Sequence, residues 1–407
     1  LSNNAIFSSI YGPLAGRSIS EVMPVPIPGF LGDWVIEPWI AYFIAGMSII
    51  LLVVNALFAL TTWYTLVERR VIGRFQSRLG PNRVGPFGLL QPIADAIKLL
   101  TKESIHPASA DRLIFNAAPI VMMGSMFLLV AVIPFGPKAF IADLNIGVLY
   151  IAGISSISVI GVLMAGWASG NKYATLGSVR AVAALISYEI PVILALLGIV
   201  IFVGSMSLVQ VVEHQVLPFA LLHPLGFLVF VLGISAELNR SPFDLTEAES
   251  ELVSGYNTEY GGMKFGAFFL AEFGNVLIAS SLISILFLQG WKGPFLPDTV
   301  WFLLKVSLVA FVFIWIRATL PRLRVDQILE FAWKFLLPLS LINAVAAAIE
   351  RLVWPSPSYG EYWILVSINW IVALLSVILF SKILSRPKVG HQSSLLGVDK
   401  PHGSEGM

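Results

Sequence analysis

The sequence has 407 residues, of which 57% are apolar and 12% are charged. Since an average soluble domain carries about 25% charged residues, this composition excludes a disordered chain and argues against a soluble enzyme. The net charge of +1 shows no bias toward nucleic acid, and the absence of cysteine excludes disulfides and cysteine-ligated iron–sulfur clusters. A polytopic membrane protein is the class that fits.

Nine apolar segments are candidates to cross a membrane, for which about 20 residues are needed. We therefore predict an all-α polytopic membrane protein of about nine transmembrane helices. The eighth segment is the weakest, because it is short and contains Pro338 and Asn343. The predicted spans are Trp39–Tyr64, Leu113–Ile133, Ile146–Trp167, Val179–Gly204, Leu221–Leu238, Phe265–Leu288, Val300–Ile316, Phe335–Ala348 and Tyr362–Leu384.

The basic residues are distributed unevenly between the loops on the two sides. Of the 25 Lys and Arg residues, 20 fall on one face and 4 on the other. Because cytoplasmic loops are enriched in Lys and Arg, this predicts an outer N-terminus and a cytoplasmic C-terminus. The expected location is the bacterial plasma (inner) membrane or an equivalent energy-transducing membrane.

The first cytoplasmic loop, residues 65–112, contains a run of arginines. In a helix, Arg70, Arg74 and Arg78 would share one side. They could anchor the chain on anionic lipid or form a docking surface for a partner domain. The turn-forming residues 80–82 follow this run.

The second half of this loop has the pattern of an amphipathic helix. Over residues 89–102, polar side chains recur at a helical spacing opposite apolar ones, and Pro92 falls in the first turn. Such a helix is too short and too charged to span, so we expect it to lie in the membrane interface. It could border a cavity that opens from the bilayer or serve as a plain brace.

The second long loop, residues 237–260, has six carboxylates and one arginine. In a helix, Asp244, Glu247 and Glu251 would share a face, whereas Glu249 would point elsewhere. Like charges at this spacing disfavour joint ionisation and couple the titration of the group. A solvated acidic loop is the plain alternative to a proton-responsive cluster.

Four charged residues fall within or at the ends of predicted spans. Glu189 lies beside Pro191, Glu272 lies near the start of the sixth span, and Glu237 ends the fifth. Lys305 lies in the seventh. Because an acid at the centre of a helix costs roughly 2.5–3.5 kcal/mol on insertion scales, these residues indicate either a proton path or neutralised structural pairs.

Four blocks of residues resemble the H-subunit family of respiratory complex I. They run from Glu68 to Lys98, from Gly166 to Glu189, from Asn239 to Tyr260 and from Trp315 to Gln327. The resemblance covers about residues 39–350. It implies a membrane subunit of the proton-pumping NADH:quinone oxidoreductase that forms the membrane part of the quinone chamber. Quinone reduction would be relayed through carboxylates to proton-pumping subunits.

The resemblance also implies roles for residues that carry no catalytic or metal-binding function themselves. The proton path would use Glu189 and Glu272, and charge balance or docking would use Arg69, Arg74, Arg78 and Arg240. The quinone-chamber and coupling acids would be Glu68, Asp95, Glu237, Asp244, Glu247, Glu249 and Glu251.

The implied substrate is a quinone, either ubiquinone or menaquinone. FMN and the iron–sulfur clusters would belong to partner subunits, and the last cluster would lie in the hydrophilic subunits of the quinone site. Small membrane subunits would link the chain to antiporter-like subunits. No nucleic-acid partner is implied.

We expect three parts along the chain: an N-terminal extramembrane arm at 1–38, a membrane core at 39–350 and an extra transmembrane helix with a cytoplasmic tail at 351–407. The core would contain about eight spans and the chamber loops 65–112 and 237–264. Two alternatives remain open. One is a homologous component of a membrane-bound hydrogenase or of a ferredoxin- or deazaflavin-linked dehydrogenase, and the other is a stand-alone cation or proton transporter.

Overall fold

The computed structural model describes residues 38–244, 254–355 and 357–384. The described residues form an all-helical protein, as predicted. Their thirteen α-helices, which we number in chain order, are α1 Pro38–Phe75, α2 Gln91–Thr101, α3 Arg112–Val130, α4 Gly147–Ala168, α5 Lys172–Val203, α6 Leu208–His214, α7 Phe219–Leu222, α8 Pro224–Glu237, α9 Gly262–Phe287, α10 Asp298–Thr319, α11 Val325–Phe331, α12 Leu337–Val353 and α13 Tyr359–Leu384.

Each of the nine predicted spans coincides with a helix, and eight of these helices are long and apolar enough to cross a membrane. The fifth differs, because the chain breaks at His223 and α8 has only 14 residues. At 1.5 Å per residue, α8 is roughly 21 Å long, well below the hydrocarbon thickness of about 30 Å. It packs against α5, α12 and α13 and so lies inside the helix assembly.

Helix α1 continues well beyond its predicted end at Tyr64. It has 38 residues and ends at Phe75, so Glu68, Arg70 and Arg74 lie on a helix instead of in a loop. Ser77 then takes a positive φ of 55°. The expectation that Arg78 continues the arginine face is therefore wrong, because the helix ends before it.

The predicted amphipathic helix is present as α2, and Pro92 lies in its first turn. Helix α2 packs between α1 and α9. Two glycines at the start of α9 allow this approach: a Cβ on Gly262 would lie 3.0 Å from the Lys102 carbonyl oxygen, and one on Gly266 would lie 3.1 Å from Leu99.

The eighth span is longer than its predicted core of 335–348. Helix α11, a π-helical segment Ala332–Leu336 and helix α12 form one helical stretch of 29 residues. Pro338 lies inside this stretch, directly after the π-helical segment, where its ring and missing N–H disfavour a regular α-helical turn.

Helix α5 is the centre of the helix packing and contacts α4, α8 and α12. Small residues allow the close approaches, as is common between membrane helices. A Cβ on Gly177, for example, would lie 2.8 Å from the Cα of Gly255. The functional residues described next are positioned around this helix and along α1.

Candidate functional site: two clusters of charged residues

The first cluster surrounds Glu68 on α1. Arg240, in the loop after α8, donates from Nη1 to Glu68 Oε1 over 2.6 Å, and Arg317 at the end of α10 donates to the same oxygen. Arg240 Nη2 lies 3.9 Å from Glu272 Oε1 on α9. Three helices and one loop thus bring two acids and two arginines together.

The environment of Arg240 keeps it charged. Its side chain is only 3% exposed, and that of Glu68 only 2%. Burial opposes the charged form, but Glu68 and Glu272 outweigh it and raise the pKa of Arg240 above its ordinary value. The guanidinium also lies 4.6 Å from the centroid of the Phe273 ring, a favourable cation–π contact.

A charged cavity of about 460 Å³ adjoins this cluster, lined by Glu68, Arg69, Glu272 and Arg317 among others. Among the described residues, Glu68 Oε2 and Arg240 Nη2 have no hydrogen-bond partner. Because a buried polar atom without a partner is costly, a bound water or polar group at these atoms would stabilise the cluster.

An apolar cavity of about 430 Å³ lies next to the charged one, between α1, α3, α9 and α10. It follows α1 from Ile49 to Val67, a distance of about 27 Å at 1.5 Å per residue. Glu68, the next residue, lines the charged cavity. An apolar cavity and a charged cavity thus follow one another along α1.

The polar face of α2 is tied to α1. Arg69 Nη1 donates to Asp95 Oδ2 over 2.9 Å, and Lys98 Nζ lies 3.6 Å from Asp95 Oδ1. Gln91 donates to the same carboxylate over 3.3 Å. Since Arg69 and Lys98 are about half or more exposed, these contacts orient the helix more than they stabilise it.

The predicted arginine surface is only partly involved in these contacts. Arg74 and Arg78 are exposed, and Arg78 donates to Gln76 over 2.7 Å. Asp244 lies 3.7 Å from Arg322. Glu247, Glu249 and Glu251 lie outside the described residues.

The second cluster lies within the helices. Glu189 on α5 and Glu237 at the end of α8 line one cavity of about 70 Å³, together with Asn275 on α9. The hydroxyl of Ser156 donates to Glu189 Oε1, and Ser155 hydrogen-bonds to Glu237. This arrangement provides two acids and several hydroxyl and amide groups in an otherwise apolar space.

The structure groups two acids differently from the sequence expectation. Glu272, expected beside Glu189 on the proton path, lies with Arg240 in the first cluster. Glu237, expected among the chamber acids, lies with Glu189 in the second. Glu272 lies toward the middle of α9, within reach of Arg240, whereas Glu237 ends a short helix beside the cavity that Glu189 lines.

Sequence reasoning missed several partners of these acids. Arg317 falls within one of the four motif blocks but has no predicted role, and neither Ser156 nor Asn275 stands out in the sequence. For Arg317, the position of a basic residue at the end of a span was the available signal. For the two uncharged residues, the sequence offered none.

Lys305, the cation within α10, lies in neither cluster. Its Nζ donates to the carbonyls of Leu288, Gly290 and Lys292 over 2.7–2.9 Å. Lys292 in turn donates to the carbonyls of Glu213 and Gln215, and burial lowers its pKa. Within the described ranges, no group of three or more potential metal ligands occurs.

The sequence matches the family described as NADH dehydrogenase over residues 47–348. It is 53% identical over 316 residues to the H subunit of NADH-quinone oxidoreductase from Dehalococcoides mccartyi strain CBDB1, covering 78% of this chain and 89% of the relative. It is 49% identical to the H subunit from Syntrophotalea carbinolica, covering 74% and 94% of the two chains. For the H subunit from Bacillus cytotoxicus the identity is 48%, covering 77% and 96%.

Proposed function

The chain belongs to the H-subunit family of NADH-quinone oxidoreductase, and on this premise we propose that its charged cavity is the membrane part of the quinone-binding chamber. As a membrane subunit of complex I, the chain is part of an oxidoreductase. The hydrogenase-type alternative is not favoured, because the relatives are named for quinone reduction.

The observation that carries the proposal is the buried cluster around Glu68, in which some polar atoms lack a hydrogen-bond partner among the described residues. Glu68 and Arg240 are almost fully buried, yet each has an atom without a hydrogen-bond partner among the described residues. A quinone oxygen accepts hydrogen bonds, and an arginine guanidinium can supply them. Arg317, which lines the charged cavity, is placed to donate to the polar head of a quinone, and Arg240 holds Glu68 beside it.

The adjoining apolar cavity supports the same ligand class. A quinone carries an apolar isoprenoid tail on a polar head, and consecutive residues of α1, Val67 and Glu68, line the apolar and the charged cavity. Apolar tails gain roughly 0.8 kcal/mol per buried CH₂ group. A tail along α1 would hold the head near the charged cluster.

Reduction of the quinone would change the charge beside the two carboxylates and two arginines of the first cluster. Such a change alters the proton affinity of nearby carboxylates. The relay would continue through Glu237 and Glu189 to the proton-pumping subunits. Asp244 and the acids Glu247, Glu249 and Glu251 would extend the chamber side of this chain of carboxylates.

The remaining features fit an assembly role. The exposed Arg74 and Arg78 would dock the hydrophilic subunits, which would contain FMN and the iron–sulfur clusters. Small membrane subunits would contact the face near Glu189 and connect it to the antiporter-like subunits. The N-terminus would lie outside and the C-terminus in the cytoplasm, in an energy-transducing membrane.

The substitution Glu68→Gln in the assembled complex tests this proposal. It keeps the size of the side chain but removes the charge that Arg240 and Arg317 share. We expect NADH:quinone activity to fall by about tenfold or more, as for loss of a charged polar contact, while NADH oxidation by an artificial acceptor is unchanged. Unchanged quinone reduction would contradict the proposed chamber.

A further inference from the structure

Helix α5 is hydrogen-bonded to the eighth span at two consecutive residues. Trp333 donates from its indole N–H to Ser187 Oγ over 3.1 Å. The hydroxyl of Tyr188 donates to the carbonyl of Ile328 over 2.9 Å, and both of these residues are fully buried. Because a bilayer offers no water to replace a broken hydrogen bond, such contacts persist in the membrane.

These contacts lie directly before Glu189 in the chain. At 3.6 residues per turn, Ser187 and Glu189 are separated by about 200° around the α5 axis. The two side chains therefore leave the helix on opposite sides. A movement that pulls Ser187 toward or away from Trp333 must also displace Glu189 relative to its cavity.

The residues directly before the eighth span contact the loop that carries Arg240. The backbone N–H of Leu323 donates to the Pro242 carbonyl over 3.0 Å, and Arg322 lies 3.7 Å from Asp244. A shift of this loop is therefore transmitted to residues 322–323 by direct contact.

Aromatic packing reinforces this contact. The Phe243 ring is buried, with its centroid 5.2 Å from that of Tyr188 and 6.2 Å from that of Phe331. Phe331 in turn stacks on Phe335 at 5.0 Å. Since closely packed side chains transmit displacement to one another, these rings couple the loop to α5 and to α11.

The π-helical segment Ala332–Leu336 contains Trp333 and begins directly after Phe331, which packs on the loop residue Phe243. A π-helical turn holds more residues than an α-helical turn, and such turns are rare and frequent at functional sites. Here it joins α11, which follows the residues that contact the loop, to α12, and all three parts of the stretch contact α5.

We propose that the segment Ala332–Leu336 is a joint that transmits displacement of the loop at 239–244 to Glu189. In this arrangement, Trp333 is a positioning residue that holds Ser187, and through it Glu189, in place. The inference rests on the proposed function, because it assigns the mechanical link between the quinone chamber and the acid pair Glu189 and Glu237.

The test is Trp333→Phe in the assembled complex, with Trp167→Phe as the matched control. Trp333 is 51% exposed and Trp167 70% exposed, so both substitutions remove an indole from a surface position. We expect protons translocated per quinone reduced to fall about twofold or more for Trp333→Phe. The rate of quinone reduction with the membrane uncoupled should stay unchanged, and the control should match the unmodified complex.

A second variant, Ser187→Ala, removes the acceptor without touching the π-helical segment. A complex with both Trp333→Phe and Ser187→Ala should translocate as many protons per quinone reduced as one with Trp333→Phe alone, because both single changes remove the same hydrogen bond. A normal proton ratio in Trp333→Phe, or failure of both single variants to assemble, would overturn the inference. If Glu189→Gln also leaves the ratio normal, the proposed function fails as well; if only Glu189→Gln lowers it, only the joint is wrong.

Discussion

At the scale of single residues, Lys305 shows how a membrane-embedded cation can serve structure alone. Its three hydrogen bonds go to carbonyls at and beyond the C-terminal end of α9, where helical carbonyls have no partner within the helix. A cation there is also favoured by the helix dipole. Lys305 therefore fixes the turn between α9 and α10 on the predicted outer face.

We expect Lys305→Met to lower the free energy of unfolding by about 2 kcal/mol or more, because it leaves buried carbonyls without a charged donor. Thermal unfolding of the purified complex measures this change. Lys305→Arg should retain most of the stability, and Ser307→Ala, an exposed change on the same helix, should have little effect. A Lys305→Met complex of normal stability that no longer pumps protons would place Lys305 on the proton path instead.

The charged clusters mark where prediction of single residues succeeds and where it stops. Because charge inside a membrane is rare and costly, Glu189, Glu237 and Glu272 could be singled out from the sequence. Their partners could not, since Arg317 and Glu68 lie 249 residues apart and no local pattern pairs them. The grouping of Glu237 with Glu189 likewise depends on how helices cross.

At the scale of elements, apolar length predicted the helices well and their ends less well. Helix α1 continues through the polar residues after Tyr64 because Glu68 finds two arginines in the folded chain. Composition alone favours a loop there. Helix α2 was predicted nearly to its bounds, because amphipathic spacing is a local property.

The eighth span shows the same limit. Its weak apolar core and Pro338 predicted a short helix, but the helical stretch continues on both sides of it. On the N-terminal side, the Phe331–Phe335 stacking and the Trp333–Ser187 bond stabilise the added turns. The π-helical segment directly precedes Leu337 and Pro338, so the missing N–H of Pro338 is a local signal of an irregular turn that was not used.

At the scale of the whole molecule, the absence of cysteine makes the proposed orientation directly testable. A single cysteine in place of the exposed Lys138, between α3 and α4, should react with a membrane-impermeant maleimide in intact cells. One in place of Lys382, near the end of α13, should react only after permeabilisation. The reverse pattern would invert the topology predicted from 20 basic residues against 4.

The central claim for the whole molecule is that the acid pair within the helices couples quinone chemistry to pumping. The measurement that tests it most directly is the number of protons translocated per quinone reduced by a complex with Glu189→Gln. The exposed acid Glu213, changed to Gln, is the matched control. We expect the ratio to fall severalfold in Glu189→Gln, with the complex assembled, and to stay normal in the control. An unchanged ratio in the assembled Glu189→Gln complex would contradict the claim.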